Sequence, residues 1–402
     1  MIEREEYLNR LIAWKDKQII KVVTGIRRCG KSTLMEMFQD YLLSNEVTAQ
    51  QIISINFEDY AYSHLLDPQK LYEYLLENLS ADSTTYIFLD EIQNVKNFEK
   101  VVDSLFLKKN IDITITGSNA YLLSGELATH ISGRYITIEM LPLSFAEYVK
   151  STGSPGELNR KFVQYIETSS FPYVFTLGGN QREIHEYLQG IYSTVILKDV
   201  VDRYGISDVM MLESVLSFIF DNIGSQLSTR KISNSMLSAG RKIDVKTVEK
   251  YLSALLNSYI LYQAKRYDVK GKQYLKTLDK YYIVDVGLRS LLLGKRSIEL
   301  GHVLENVVYL ELLRRGFRVF VGKVDDTEVD FVALHSGGII YYQVAASVRD
   351  EKTLHRELLS LQKIPDHYPK YILTLDNDPI EDFLGIKKIN VLDWLLNTSL
   401  IS

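Results

Sequence analysis

The stretch Gly25-Ile26-Arg27-Arg28-Cys29-Gly30-Lys31-Ser32 constrains the fold more than any other part of the chain, because it matches the pattern G-x-x-x-x-G-K-S/T at every fixed position. The apolar run "QIIKVVT" precedes it, and "TLMEMF", with apolar residues at helical spacing, follows. A glycine-bounded loop between a strand and a helix wraps its backbone N–H groups around phosphate, and the lysine reaches the β and γ oxygens. Residues Gly25 to Thr33 are therefore expected to bind ATP, with Lys31 on the phosphates and Ser32 on Mg²⁺.

The second constraint is "TYIFLDEIQ", an apolar run ending in Asp90 and Glu91. An acid at the end of a buried strand can hold Mg²⁺ through water, and a second acid beside it can orient or deprotonate the attacking water. A charge placed there without such work would be costly to bury. The run "ITITGSN" brings Ser118 and Asn119 to a third strand end, where a hydroxyl or amide contacts the γ-phosphate or the water. Arg134, in "ISGRYITIEML", is a candidate finger for the developing phosphate charge, supplied within the chain or by a neighbour. Ser118-Asn119 also reads as a turn, and Arg134 as a surface arginine.

At 402 residues the chain has room for roughly two to four domains. The runs "QIIKVVT", "QIISINF", "TYIFLD", "DITITG" and "YITIEML" alternate with helical patterns, which predicts a parallel α/β sheet over residues 1–150. No apolar run approaches the roughly 18 residues that span a bilayer, and the start "MIEREEYLNR" is unlike a signal peptide. A cytoplasmic protein with no membrane partner is expected. Cys29, the single cysteine, excludes an intrachain disulfide and a cysteine-cluster metal site.

The series "TGIRRCGKSTL", "INFED", "IFLDEIQ" and "ITGSNAYLLSGELATHISGRYITIEMLPLSFAEY" resembles the P-loop ATPases of the AAA+ superfamily that carry a C-terminal domain of unknown function. "LKDVVDRYGI", "YYIVDVGLR" and "LENVVYLELLRRGF" are similar to the later part of that family, so the resemblance covers nearly the whole chain. It implies that Lys31 and Ser32 serve phosphate and Mg²⁺, Asp90 and Glu91 are the metal and base acids, and Asn119 and Arg134 are sensor and finger.

Net charge is −5 overall, yet residues 226–282 hold 12 Lys and Arg against 4 Asp and Glu, leaving 34 against 47 elsewhere. One segment is basic inside an acidic protein. Its pattern reads as two short helices, a turn near Gly240, a longer helix from about Val245, and a hairpin turning near Lys270-Gly271. That order is a winged helix, with Lys246 and Lys250 on the second helix and Lys265, Arg266, Lys270 and Lys272 on the wing. Such modules bind DNA through phosphate contacts or bind protein, and a charge run is often only a solvated face.

The last hundred residues resemble a restriction-endonuclease-like fold: a helix bearing Glu305, then strands "EVDFV" with Asp330 and "YYQVAAS" with Gln343. Gln343 stands where an acid is usual and Ala345 where a lysine is needed. Loss of cleavage activity is expected, with Glu305 and Asp330 left as fold remnants or surface contacts. Lys352 and Arg356 are the candidates to replace the missing lysine.

The expected architecture is thus α/β: a P-loop parallel-sheet ATPase domain over 1–150, a helical connector over 157–225, a winged helix over 226–296, and an endonuclease-like domain over 297–402. The expected function is an ATP-hydrolysing switch that couples nucleotide state to DNA through 226–282 or to a protein through 297–402, as a monomer or an oligomer. Its rivals are an ATP-dependent DNA-processing enzyme with an active C-terminal nuclease, and an ATP-sensing module that grips only protein.

Overall fold

The computed structural model describes residues 2–120, 133–153, 157–275, 278–294 and 299–396. Residues 121–132 of the resemblance, and 154–156 within the Gly- and Pro-containing break "STGSPGELN", lie outside this set. The chain divides into two compact units: Met1–Pro142 with Asn257–Tyr259, and Leu143–Leu256 with Ile260–Ser402.

The first unit contains the helices α1 (Glu5–Ala13), α2 (Lys31–Leu43), α3 (Pro68–Glu77) and α4 (Phe98–Phe106) around five strands. These are β1 (Ile20–Thr24), β2 (Ile52–Asn56), β3 (Thr85–Asp90), β4 (Ile111–Gly117) and β5 (Tyr135–Glu139), so each apolar run became a strand. All pairings are parallel, in the order β2-β3-β4-β1-β5. The runs are continuously apolar because both faces of the sheet are covered. Ile87 and Leu89 join Leu71, Leu75, Val102 and Leu105 on one side. Phe88, between them in sequence, meets Phe38 of α2, with ring centroids 5.8 Å apart.

Register matters most for function. Thr24 pairs with Gly117 and Asn56 with Asp90, so the C-terminal ends of β1, β2, β3 and β4 lie along one edge. The strand carrying Asp90 is separated from β1 by β4.

The second unit begins with helices α5 (Phe145–Ser151), α6 (Leu158–Glu167), α7 (Gln181–Ile191), α8 (Val200–Tyr204) and α9 (Val209–Asp221). Next come β6 (Gln226–Leu227), α10 (Thr229–Ser238), α11 (Val245–Asn257), β7 (Leu261–Ala264), β8 (Arg266–Asp268), β9 (Gln273–Tyr274) and β10 (Asp279–Ile283). A single helix, not two, precedes the turn at Gly240. Ser228 caps it through the Lys231 amide, and Ile232 and Met236, four apart, form one buried stripe.

Strands β6, β10 and β7 form a small antiparallel sheet. The hairpin turns at Lys270-Gly271 as expected, but its tip is no free wing. Strand β8 pairs with β9 and runs parallel to β11 (Arg318–Val324), joining an eight-stranded sheet. That sheet continues through β12 (Thr327–His335), β13 (Gly338–Ala345), β14 (Lys370–Thr374), β15 (Glu381–Phe383) and β16 (Ile386–Asn390). The helix α12 (Val286–Leu293) packs on α6, α7 and α9, while α13 (Leu300–Arg314), α14 (Glu351–Gln362) and α15 (Val391–Leu396) pack on the large sheet. Tyr267 of β8 is buried with Val329, Val332 and Tyr341, which explains why the tip is taken into the sheet.

Candidate nucleotide site

The loop from Gly25 to Gly30 follows β1 directly, and α2 begins at Lys31. Gly25 has φ +145°, and a Cβ there would stand 2.2 Å from the Met140 carbonyl oxygen, so no other residue fits without moving the chain. Arg28 and Gly30 are also left-handed, with φ of 68° and 104°. Ile26 and Cys29 are buried beneath the loop, and burial pushes the Cys29 thiol up, away from reactive thiolate. Arg27 pairs with Glu58 at 2.6 Å. Ser32 is exposed and Thr33 half-buried on the first turn of α2.

Lys31 is 4% exposed. Its ammonium donates to the Gly25 carbonyl (3.2 Å), the Ile26 carbonyl (3.4 Å) and Ser118 Oγ (2.9 Å), and lies 3.4 Å from Glu91 Oε1. Ser118 Oγ in turn donates to Glu91 Oε1, and Gln93 Nε2 donates to Glu91 Oε2. Glu91 has left-handed backbone, φ 53°, which turns its side chain back toward Lys31 at the strand end. Its amide donates to Thr116 Oγ1 at 3.0 Å. The Thr116 hydroxyl donates to Asp90 Oδ1, and Asn56 Nδ2 donates to Asp90 Oδ2 at 3.1 Å. Asn119 is buried immediately beyond β4. Thus Lys31, Asp90, Glu91 and Ser118 converge as their positions at strand ends required.

Arg134 does not join them. Its carbonyl accepts the Ile20 amide at the start of β1, a strand length of roughly 15 Å from the loop at the other end. Its guanidinium pairs with Asp103 at 2.5 Å and lies over the Phe106 ring. Within one chain it is not a finger for this site, because parallel strands put residues preceding β5 and residues following β1 at opposite edges.

Three partners of these residues escaped sequence reasoning. Thr116 and Asn56 orient Asp90, and both were legible as polar residues at the ends of strands. Arg4 was not: it is buried far from the motif in sequence, donating to the Cys29 carbonyl (2.9 Å) and the Leu141 carbonyl (2.6 Å). It ties the loop to the chain beyond β5.

The AAA domain family matches residues 17–149, and a domain of unknown function matches residues 159–299. An uncharacterised protein of Haemophilus influenzae is 40% identical over 98% of this chain and 99% of its own length. The chain belongs to the AAA family of P-loop ATPases. A second uncharacterised relative of this AAA protein, from Methanocaldococcus jannaschii, is 32% identical over 78% of the chain and 71% of its own length. The Walker-type ATPase of Pyrococcus abyssi shares the fold, with a TM-score of 0.51 and 15% identity over 73% of this chain and 96% of that one. Among the described residues of the AAA protein, no helix is long and apolar enough to cross a membrane.

The second unit of the AAA protein holds the other predicted acids. Glu305 on α13 and Asp330 on β12 are not surface contacts. Glu305 is buried, and its Oε1 accepts from Lys280 Nζ at 2.8 Å and from Tyr282 OH at 2.6 Å. Lys280 is also 2.7 Å from Glu328 and 3.6 Å from Asp330. Gln343 accepts the Asp330 amide and donates to Glu357 on α14. Arg356 pairs with Glu357 at 2.6 Å, and Lys352 is exposed. The lysine that meets the acids is therefore Lys280 of β10, from the segment read as a winged helix.

Proposed function

We propose that the chain is an ATP-hydrolysing switch whose site is the edge formed by the ends of β1, β2, β3 and β4. The observation that supports this most is the convergence of Lys31, Ser118 and Glu91, with Asp90 held in place by Thr116 and Asn56. The site fits a nucleotide: Gly25 leaves no room for a Cβ, and the buried Lys31 ammonium stands among the carbonyls of its own loop. Bound Mg²⁺ would supply charge neutralisation between phosphates, with Ser32 and Asp90 as the residues that hold it. Gly25 to Thr33 cradle the phosphates, Lys31 binds their oxygens, and Asn119 senses the terminal group.

Glu91 is the general base in this reading. Burial pushes its carboxyl up, but the Lys31 charge and the Ser118 and Gln93 hydrogen bonds outweigh burial and hold it below its ordinary value. The base is thus ionised and able to take a proton from water. Phosphate release measured by malachite green should be lost in Lys31→Ala together with nucleotide binding. In Glu91→Gln, binding should persist while turnover falls about 10²- to 10⁴-fold. Unchanged turnover in both variants would sink the proposal.

The four segments 1–150, 157–225, 226–296 and 297–402 would then serve as motor, connector, winged helix and non-cleaving endonuclease-like domain. Exposed Lys242, Lys246 and Lys250 favour a nucleic-acid phosphate partner for α11. Capture of the hairpin tip by the large sheet, with Lys270 paired to Asp325 at 2.6 Å, favours a protein partner instead. DNA titrations at several salt concentrations separate the two, since affinity for phosphate must fall steeply with salt.

A further inference from the structure

Three carboxylates of the second unit meet at one buried ammonium. Lys280 Nζ lies 2.8 Å from Glu305, 2.7 Å from Glu328 and 3.6 Å from Asp330, and the lysine is 4% exposed. The acids come from two elements of the nuclease-like layout, α13 and β12, while the lysine comes from β10 of the small sheet. Each carboxylate also accepts from a further protein group. Tyr282 donates to Glu305, Gln226 to Glu328, and the Val344 amide to Asp330 at 2.9 Å.

A divalent ion held by Glu305, Glu328 and Asp330 would need the space between these carboxylates, and that space holds the ammonium. The β13 residue at that position, Gln343, spends its amide on the Asp330 backbone and on Glu357 and adds no charge. The residues of this chain do not fit the Mg²⁺ that the fold resemblance implies.

We infer that Lys280 is the built-in cation of this acid cluster, closing it to divalent metal ions and pinning the small sheet to the large one. Two buried acids without a counter-ion would be strongly destabilising, and a metal would satisfy them only when bound. A tethered ammonium satisfies them permanently. It also turns a site suited to reversible cation binding into a fixed joint between β10, α13 and β12.

The test uses the full chain without nucleotide, titrated with Mn²⁺ and followed by the electron paramagnetic resonance signal of free Mn²⁺. Wild type and Asp330→Asn should leave the same free signal. Lys280→Ala should gain a single Mn²⁺ site that the double variant Lys280→Ala/Asp330→Asn loses. A wild-type Mn²⁺ site removed by Asp330→Asn would overturn the inference, as would a folded Lys280→Ala variant that gains none. Amine labelling of the wild type, read by mass spectrometry, needs no variant to fold. Lys280 should stay unlabelled with and without Mn²⁺ while Lys246 reacts. Labelling of Lys280 at the rate of Lys246, or labelling induced by Mn²⁺, would also overturn it.

Discussion

Lys31 and Glu91 stand 3.4 Å apart, ammonium to carboxylate, with Ser118 hydrogen-bonded to both. The proposed phosphate lysine and the proposed base therefore share a bridging hydroxyl. The Lys31 charge helps hold the buried Glu91 carboxyl below its ordinary value.

Ser118→Ala removes one of the contacts that lower the Glu91 carboxyl. Its ionisation should move up toward the ordinary glutamate range, so the acid limb of kcat/KM for ATP hydrolysis should shift to higher pH. A pH–rate profile of wild type and variant checks this, and an acid limb that stays in place contradicts it.

Gly25→Ala places a methyl group against the Met140 carbonyl in backbone that L side chains rarely adopt. The cost should be about 1–3 kcal/mol from backbone strain, with further loss from displacement of the loop. Thermal denaturation should show a lower midpoint, and fluorescent-nucleotide titration should show binding weakened in step.

Arg4→Ala leaves the Cys29 and Leu141 carbonyls without the donor that now serves both. Roughly 2–3 kcal/mol of stability should be lost. Arg4→Lys should recover only part of it, because an ammonium lacks the planar fork that spans two acceptors. Urea unfolding of the three proteins provides the comparison.

Lys280 settles closer to Glu305 than to Asp330, and the two acids respond in opposite directions. Burial pushes Glu305 up, but Lys280 outweighs it and the carboxyl ends below its ordinary value. Burial and the Glu305 charge push Asp330 from 3.8 up to about 7. Between those values the folded protein keeps a proton that the unfolded chain has lost. The Asp330 contribution to stability is therefore complete below the unfolded value and is lost as pH rises through about 7. Asp330→Asn should flatten this part of the pH dependence, measured as urea midpoints between about pH 4 and pH 8.

Arg134→Ala should leave nucleotide affinity unchanged, because the guanidinium lies at the opposite edge of the sheet, half-exposed beside Asp103. Titration with a fluorescent ATP analogue decides this, and a tenfold loss would place the arginine at its own chain's site after all.

Much of the first unit was legible in the sequence because local chemistry and position along a strand suffice there. Continuous β-branched runs specify buried parallel strands, a glycine pattern specifies the loop, and acids or hydroxyls at strand ends must emerge at one edge. Lys31, Asp90, Glu91 and Ser118 follow from those rules. Arg134 shows their limit: the parallel direction of β5 puts it at the edge opposite its own chain's loop, so of its two proposed roles only a finger supplied to a neighbour is left.

What only the tertiary structure decided lies in pairings between distant segments. Arg4 reaches Cys29 and Leu141, and nothing in the sequence around residue 4 signals those acceptors. Lys280 looked like one more positive charge in a basic segment, yet it is buried among Glu305, Glu328 and Asp330. A charge count treats every lysine as solvated. Which of them is instead enclosed as a counter-ion depends on where sheets meet, and that is set by non-local packing: the burial of Tyr267 with Val329 and Tyr341, the joining of β8 to β11, and the seating of β10 beside α13 by Tyr282 and Glu305.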